Sequence, residues 1–523
     1  MHRLRLPPLH LFLIGLYPIL TLAAENAEEI VSLSEIGFSV ALTLTVTGIA
    51  WVGSGFVTRE RTRRGVLAFV GVVFFGWFGV YESTLRALGW AGAAAESWIV
   101  FAAWVAAAGA AAFLIARRAP PMERAARFLT SVSAILIVFP LFALARAPRS
   151  PPAGVEARPA VPRGDTAEAG PDVYLIVLDK YTGATPLADH YGFDNNPFLD
   201  SLRARGFAVP TRARANYVHT TQALASMLNW THLLDVADDV GTDRRDRTPL
   251  YRMIQDNRAW QYLEARGYEY VFFPTPYRGT TRSPHADVHI PEPFAPSIEF
   301  GQAWLLHTAV APAVSWLCSA VGCEDRTSGR FPYPPESADQ LEWKLDRLAE
   351  LASRPGPKFV FAHLLLPHEP LVFRADCSQR PPLWEPDVGD VDSVAAKRAY
   401  VEQIECLDRM LLETVDSILA RSESPPIILL QSDHGHGRIV IDPMRNLTVR
   451  LSELTDAQVE ERISIFAAYH LPEGGDALVY DSITPVNVFP IVLRHYFGEA
   501  APQLEDATYW LEPSRPFGFT RVR

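Results

Sequence analysis

The chain has 523 residues, a formal net charge of −11, 49% hydrophobic and 20% charged residues, which is too long for one small domain and too apolar for a disordered chain. Residues 1–150 hold 13 Arg, 8 Glu and neither Lys nor Asp, a net of +5, so the remainder carries −16. That acidity excludes a nucleic-acid groove, because phosphate backbones are held by clustered Lys and Arg.

Five apolar segments come first: Leu9–Ala24, Ile36–Val57, Gly65–Leu85, Ser97–Ala116 and Phe128–Ala145. Each is about long enough to cross a hydrocarbon core of ~30 Å, and together they predict a transmembrane domain over residues 1–146. The connections alternate in sign. Arg3 and Arg5 lead in, Glu25, Glu28 and Glu29 follow, then Arg59, Arg61, Arg63 and Arg64, and later Arg117, Arg118, Arg124 and Arg127. The positive-inside rule puts the N-terminus in the cytoplasm and everything beyond residue 146 outside; Arg146 and Arg149 do not change this, since a long following domain translocates regardless of such charges. The first segment, ending in the small residues before Glu25, also reads as a cleaved signal peptide, which leaves four spans and the same outside location. A solute transporter is disfavoured, because the spans contain no intramembrane charge pair.

Residues 147–170 turn to Pro, Ala, Gly and charge, with Pro148, Pro151, Pro152, Pro159 and Pro162, the composition of a semi-extended linker. The second domain spans 171–523. It holds all four cysteines, Cys318, Cys323, Cys377 and Cys406, and an even number in an oxidising compartment predicts two disulfides, most simply Cys318 with Cys323 and Cys377 with Cys406.

Short apolar runs separated by helical patterns predict an α/β domain with a central, mostly parallel sheet buried on both faces. Polar residues follow three of these runs. Val173–Leu178 ends in Asp179; Phe359–Leu366 ends in Pro367-His368-Glu369-Pro370; Ile427–Leu430 ends in Gln431-Ser432-Asp433-His434-Gly435-His436-Gly437. Ligands of open α/β sheets bind beyond the carboxyl ends of the strands, so these segments deliver Asp179, His368 and Asp433-His434 to one edge. Carboxylates with one imidazole suit Zn or Mn better than Ca. Each residue also has a bland reading: Asp179 as a turn or helix cap, Asp433-His434 as a loop leaving the sheet, His363 as a satisfied core histidine. Thr220 falls at or just before a helix N-terminus, where the free N–H groups favour an anion; alone it reads as a cap, and beside a metal as an activated nucleophile. Thr221 is the alternative if the register shifts by one.

Taken together, Val173-Tyr174-Leu175-Ile176-Val177-Leu178-Asp179, Asn196-Pro197-Phe198-Leu199-Asp200-Ser201-Leu202 running on to Gly206, Ser432-Asp433-His434-Gly435 and Asp481-Ser482-Ile483-Thr484-Pro485 resemble the alkaline phosphatase/sulfatase superfamily. The order of domains resembles its membrane-anchored branch, the phosphoethanolamine transferases and lipoteichoic acid synthases. The resemblance implies Thr220 as nucleophile, one Zn or Mn ion held by Asp179, Thr220, Asp433 and His434, and His363 with His368 as a catalytic pair. It implies a phosphotransferase or phosphodiesterase of the bacterial cytoplasmic membrane, acting from the outer face on phosphoesters of envelope lipids or glycans. Three departures qualify it. No Cys-x-Pro-x-Arg surrounds Thr220, Lys180 stands where many sulfatases have a second Asp, and Asn446 stands where the transferases place a further His. A second metal is thereby left open, with His436 or Asp442 as substitutes. The competing readings are a sulfatase-like ester hydrolase without formylglycine and a catalytically degenerate envelope scaffold.

Overall fold

The computed structural model of the chain describes residues 7–25, 36–87, 97–117, 122–146, 170–275, 277–290, 301, 304–305, 307–310, 338–369, 371–380, 394–437, 450–512 and 515–523. They form two compact units, Met1–Gly154 with Pro296–Tyr333, and Val155–Ala295 with Pro334–Arg523. Most of the expected linker, Cys318, Cys323, Asp442 and Asn446 lie outside the described residues.

The first unit contains the helices Leu9–Glu25 (α1), Gly37–Val57 (α2), Arg61–Gly76 (α3), Phe78–Ala87 (α4), Ser97–Arg117 (α5) and Glu123–Arg146 (α6). Three stretches, Gly37–Val57, Ile99–Arg117 and Glu123–Arg146, are long and apolar enough to cross a membrane, and Leu9–Ala24 is a shorter apolar helix. α1 packs against α2, α3 and α6. Their contacts use small and hydroxyl-bearing residues, with Ser39, Thr43, Thr47 and Ser133 buried, as expected where backbones approach closely between apolar helices. A Cβ at Gly15 would lie 2.8 Å from the Thr43 methyl group, so only glycine fits there.

The third expected span is not one helix. It is interrupted at Trp77, which leaves the helical region at φ −111°, ψ 6°, and the cause lies in a distant stretch of chain. The helical bond that would run from the Gly79 N–H to the Phe75 carbonyl is replaced by two others. Gly79 N–H donates to the His307 carbonyl at 2.7 Å, and the Phe75 carbonyl accepts from Ala309 N–H at 2.9 Å. Trp304 of the same stretch is buried with Ile19 and Ala23 and meets the Phe75 ring edge-on at 5.7 Å.

The second unit is built on a seven-stranded sheet of Val173–Asp179 (β1), Phe207–Ala208 (β2), Glu269–Phe273 (β3), Val288–His289 (β4), Lys358–Pro367 (β5), Ile427–Ser432 (β6) and Ala467–His470 (β7). The strand order is β2-β7-β6-β1-β5-β3-β4. β1 runs parallel to both β5 and β6, β3 is parallel to β5 and β4, and only β7 opposes its neighbours. The sheet is mostly parallel, as the sequence predicts.

Period-two alternation explains its two buried faces. Val173, Leu175 and Val177 enter one apolar core with the helices Thr220–Asn229 (α9), Leu234–Val240 (α10), Thr248–Gln255 (α11), Arg258–Glu264 (α12), Asp456–Ile463 (α15) and Val488–Phe497 (α16). Tyr174, Ile176 and Leu178 enter the other with Ala184–Tyr191 (α7), Asn196–Arg203 (α8), Ala338–Leu351 (α13) and Val394–Arg421 (α14). A disulfide joins Cys377 to Cys406 with α-carbons 5.0 Å apart, one of the two expected pairs.

Candidate active site

The central strands end side by side. Asp179 closes β1, which lies between β5 and β6, and backbone bonds tie the three exits together: His368 N–H to the Asp179 carbonyl at 3.1 Å and Asp433 N–H to the Leu178 carbonyl at 3.2 Å. The chain leaves β1 sharply, with Lys180 at φ 66°, and the Lys180 N–H donates to Asp433 Oδ1 at 3.2 Å. Asp433 Oδ1 also accepts from its neighbour's N–H, His434, at 2.7 Å. One oxygen of Asp433 is thus held by backbone donors. Gly435 follows because nothing larger fits: a Cβ there would run into the Glu461 and Ser464 carbonyl oxygens.

Thr220 opens α9, and its hydroxyl lies 3.1 Å from His434 Nε2. The other face of that imidazole fixes its tautomer, since Nδ1–H donates to the Gly435 carbonyl at 3.0 Å and leaves Nε2 as a lone pair that faces the Thr220 hydroxyl and, at 3.4 Å, Arg462 Nη2. Nε2 then sits 3.3 Å from Asp433 Oδ2 and 3.9 Å from Asp179 Oδ1. Both carboxylate oxygens are buried without a hydrogen-bond partner, a costly state for two acids unless a cation joins them. One ligand atom from each of Asp179, Asp433 and His434 lies within 4.8 Å of the others. Thr221 points elsewhere, its hydroxyl bonded to Tyr277.

His363 is fully buried behind Asp179, with Nε2 3.8 Å from Asp179 Oδ2 and Nδ1 3.1 Å from the Thr280 hydroxyl. It is buried as a core histidine would be, yet its Nε2 has no hydrogen-bond partner. His368 sits farther out with 38% of its side chain exposed, and its Nδ1 lies 2.6 Å from the Glu369 carbonyl.

Burial, reinforced by the charge of Asp433, drives the Asp179 carboxyl well above the usual carboxylate range. Burial pushes Asp433 up to about 6, against the Thr220 hydroxyl and the backbone N–H groups that hold it down. The same desolvation lowers His434 well below its ordinary value and His363 to about 3, so both imidazoles are neutral near pH 7. The donor set fits one divalent ion: two carboxylates with orphaned oxygens, one neutral imidazole lone pair and one hydroxyl.

Further residues surround this set, and one of them, Arg462, carries no signal in the sequence. Arg462 is buried and donates to the Val218 carbonyl through Nε and Nη2 and to the Gly435 carbonyl through Nη1. It therefore clamps the segment before Thr220 to the one after His434. Lys180 Nζ pairs with Glu369 Oε2 at 2.8 Å, and Glu369 Oε1 lies 3.2 Å from His436 Nε2. Burial opposes the charge on Glu369, but the Lys180 ammonium, the hydrogen bond with His436 and the nearby His368 together outweigh it and hold the carboxyl well below its usual range. His436 Nδ1 lies 2.6 Å from the Tyr191 hydroxyl, which also bonds Glu461. His436, one of the two substitutes for a second-metal ligand, is thus occupied by Glu369 and Tyr191.

No known family profile and no curated protein matches the chain. Among solved structures it is similar to the C-terminal periplasmic domain of EcEptC from Escherichia coli, at 12% identity and a TM-score of 0.43 over 69% of this chain and 93% of that one; that domain is also known in complex with Zn. It is similar to the integral membrane protein lipooligosaccharide phosphoethanolamine transferase A of Neisseria meningitidis, at 12% identity and 0.39 over 93% of this chain and 95% of that one. A third, BT1596, is a 2-O GAG sulfatase, at 15% and 0.35 over 65% and 77% of the two chains.

Proposed function

We propose that the chain is a membrane-anchored, metal-dependent phosphotransferase or phosphodiesterase that attacks phosphoesters of envelope lipids or glycans through Thr220. The observation that carries this reading is the Thr220 hydroxyl 3.1 Å from His434 Nε2, beside the unpartnered carboxylate oxygens of Asp179 and Asp433. Residues 1–146 cross the bacterial cytoplasmic membrane five times with the N-terminus inside, residues 147–170 link, and residues 171–523 form the outer catalytic domain. The N-terminal ends of α1, α3 and α6 lie together, with His10 beside Thr130 and Pro8 against Gly65, which supports spans that alternate in direction.

Asp179, Asp433, His434 and Thr220 would hold one Zn or Mn ion, and the ion would supply Lewis acidity that eases ionisation of the hydroxyl and offsets phosphoryl charge. The contact with His434 Nε2 at 3.1 Å keeps the hydroxyl oriented. Its oxygen forms the bond to phosphorus as the ester P–O bond breaks; the proton the hydroxyl gives up is taken at Nε2 by His368, the half-exposed imidazole at the next strand end that burial keeps neutral, and is returned to the departing alkoxide. Arg462 and His363 act as positioning residues, the first through the Val218 and Gly435 carbonyls and the second behind Asp179. The phosphoryl group then passes from Thr220 to an acceptor sugar, lipid or water.

The test is intact-mass analysis of the full-length protein after incubation with candidate phospholipid donors. The wild type is expected to gain an adduct that Thr220→Ala lacks while its metal-free stability is unchanged. Absence of any adduct with every donor tried would falsify the covalent mechanism. Metal analysis is the second readout: about one Zn or Mn per chain is expected in the wild type, and its retention in Asp433→Ala would overturn the ligand assignment.

A further inference from the structure

The proton transfer assigned to His368 requires that its imidazole stay in one place, and the ring is oriented from within its own loop. Its Nδ1–H donates to the carbonyl of the next residue, Glu369, at 2.6 Å. That bond leaves Nε2 as the nitrogen able to exchange a proton. It also makes the ring follow the backbone of residues 367–373, so the group that fixes this backbone fixes the imidazole.

Gln403 on α14 is that group. It is fully buried, and its amide spans the loop. Oε1 accepts from the Val372 N–H at 2.6 Å and the Phe373 N–H at 3.2 Å, while Nε2 donates to the Pro367 carbonyl at 3.1 Å and the His368 carbonyl at 3.3 Å. An amide side chain offers two donor hydrogens and two acceptor lone pairs. All four are used, and they grip the chain on both sides of Glu369. One turn earlier on α14, the Tyr400 O–H donates to the Lys180 carbonyl at 2.7 Å, and one turn later Cys406 carries the disulfide to Cys377. Residues three apart share a helix face, so one row on α14 holds the exit of β1, which carries Asp179, and the loop after β5, which carries His368. The disulfide ties the far end of that loop to the helix independently of Gln403.

We infer that Gln403 is a positioning residue for the phosphoryl transfer: through four backbone bonds it sets where His368 stands relative to Thr220. The inference rests on the roles proposed above for Thr220 and His368. Gln403 touches no reacting atom, so its removal acts only through the imidazole that its bonds place. A shift of about 1 Å in a reacting group can cost roughly a hundredfold in rate, which makes turnover, rather than substrate binding, the quantity that responds.

The test is a double-mutant cycle on the full-length protein in mild detergent, with bis(4-nitrophenyl) phosphate as the probe. Gln403→Met keeps the length of the side chain and loses all four bonds, and the disulfide keeps the loop attached. It is expected to lower kcat by about tenfold to a hundredfold, with KM and metal content unchanged. In a His368→Ala background the same substitution should change kcat by less than about twofold, because the group it places is already gone. Equal losses in the two backgrounds would mean that Gln403 supports the fold in general, and an unchanged kcat in Gln403→Met would mean that the loop holds itself; either overturns the inference. If Gln403→Met does not fold, Gln403→Glu carries the same comparison, since it keeps the acceptor for the Val372 and Phe373 N–H groups and gives up the donors to the Pro367 and His368 carbonyls. A wild type with no Thr220-dependent turnover of the diester fails at the proposed function itself, whereas Thr220-dependent turnover with additive losses fails at Gln403 alone.

Discussion

Asp433 and Asp179 are acids in a place that resists their charge, and this sets a pH dependence whose sign reverses with the metal. Asp433 is held at about 6 and Asp179 well above its usual range, chiefly by burial. In the metal-free protein the folded state therefore binds protons that the unfolded chain has already lost. A raised carboxyl contributes stability that is complete below the unfolded value and disappears as pH rises through the folded one, so metal-free protein should melt at lower temperature as pH climbs from about 4 to beyond 6. Metal must displace those protons, so its affinity should rise over the same window. Dialysis against trace Zn or Mn at pH 5 and pH 7.5 should give a nearly empty and a nearly full site, and identical occupancy at both would remove these carboxylates from the ligand set. These acids are legible in the sequence because each ends a buried apolar run, and Thr220 because it precedes a helical pattern. Arg462 is not legible. In Asp456-Ala457-Gln458-Val459-Glu460-Glu461-Arg462-Ile463 it reads as one charge on a solvated helix face, and only the fold shows its guanidinium turned inward, with three hydrogen bonds to the Val218 and Gly435 carbonyls.

At the scale of elements, local pattern and long-range bonding compete, and the third apolar segment shows which wins. Gly65–Leu85 has the length and composition of a continuous span, yet the helix stops at Gly76 because the Phe75 carbonyl and the Gly79 N–H take partners some 230 residues away. No periodicity in residues 65–85 encodes that, whereas strands β1, β5 and β6 are readable from their own residues because both of their faces are buried. The interruption depends on a bare backbone at Gly79, where an added Cβ would lie 2.8 Å from the His307 carbonyl oxygen and Cβ. Gly79→Leu should therefore drive residues 304–309 off the helices at a cost of about 1–3 kcal/mol. Limited proteolysis of the detergent-solubilised protein should then cut within 301–310 in the variant and not in the wild type; equal protection would show that the contact does not hold this stretch in place.

For the whole molecule, the charge division of +5 and −16 bears on how the chain lies across a bilayer. The positive part is concentrated in arginines at one end of the helices, at 59–64 and 124–127, and the acidic part belongs to the unit that contains Asp179, Asp433 and Thr220. Lys and Arg near the ends of spans hold connecting loops on the cytoplasmic side, and the proposed substrates are phosphoesters of the envelope, reached from the opposite side. Under the proposed function, both requirements call for residues 59–64 inside and residues 171–523 outside the membrane. Single cysteines at exposed positions test this. In intact spheroplasts a membrane-impermeant maleimide should label Asp239→Cys at once and should label Arg59→Cys only after permeabilisation. Immediate labelling of both, or of Arg59→Cys alone, would overturn the orientation and with it the envelope substrate class.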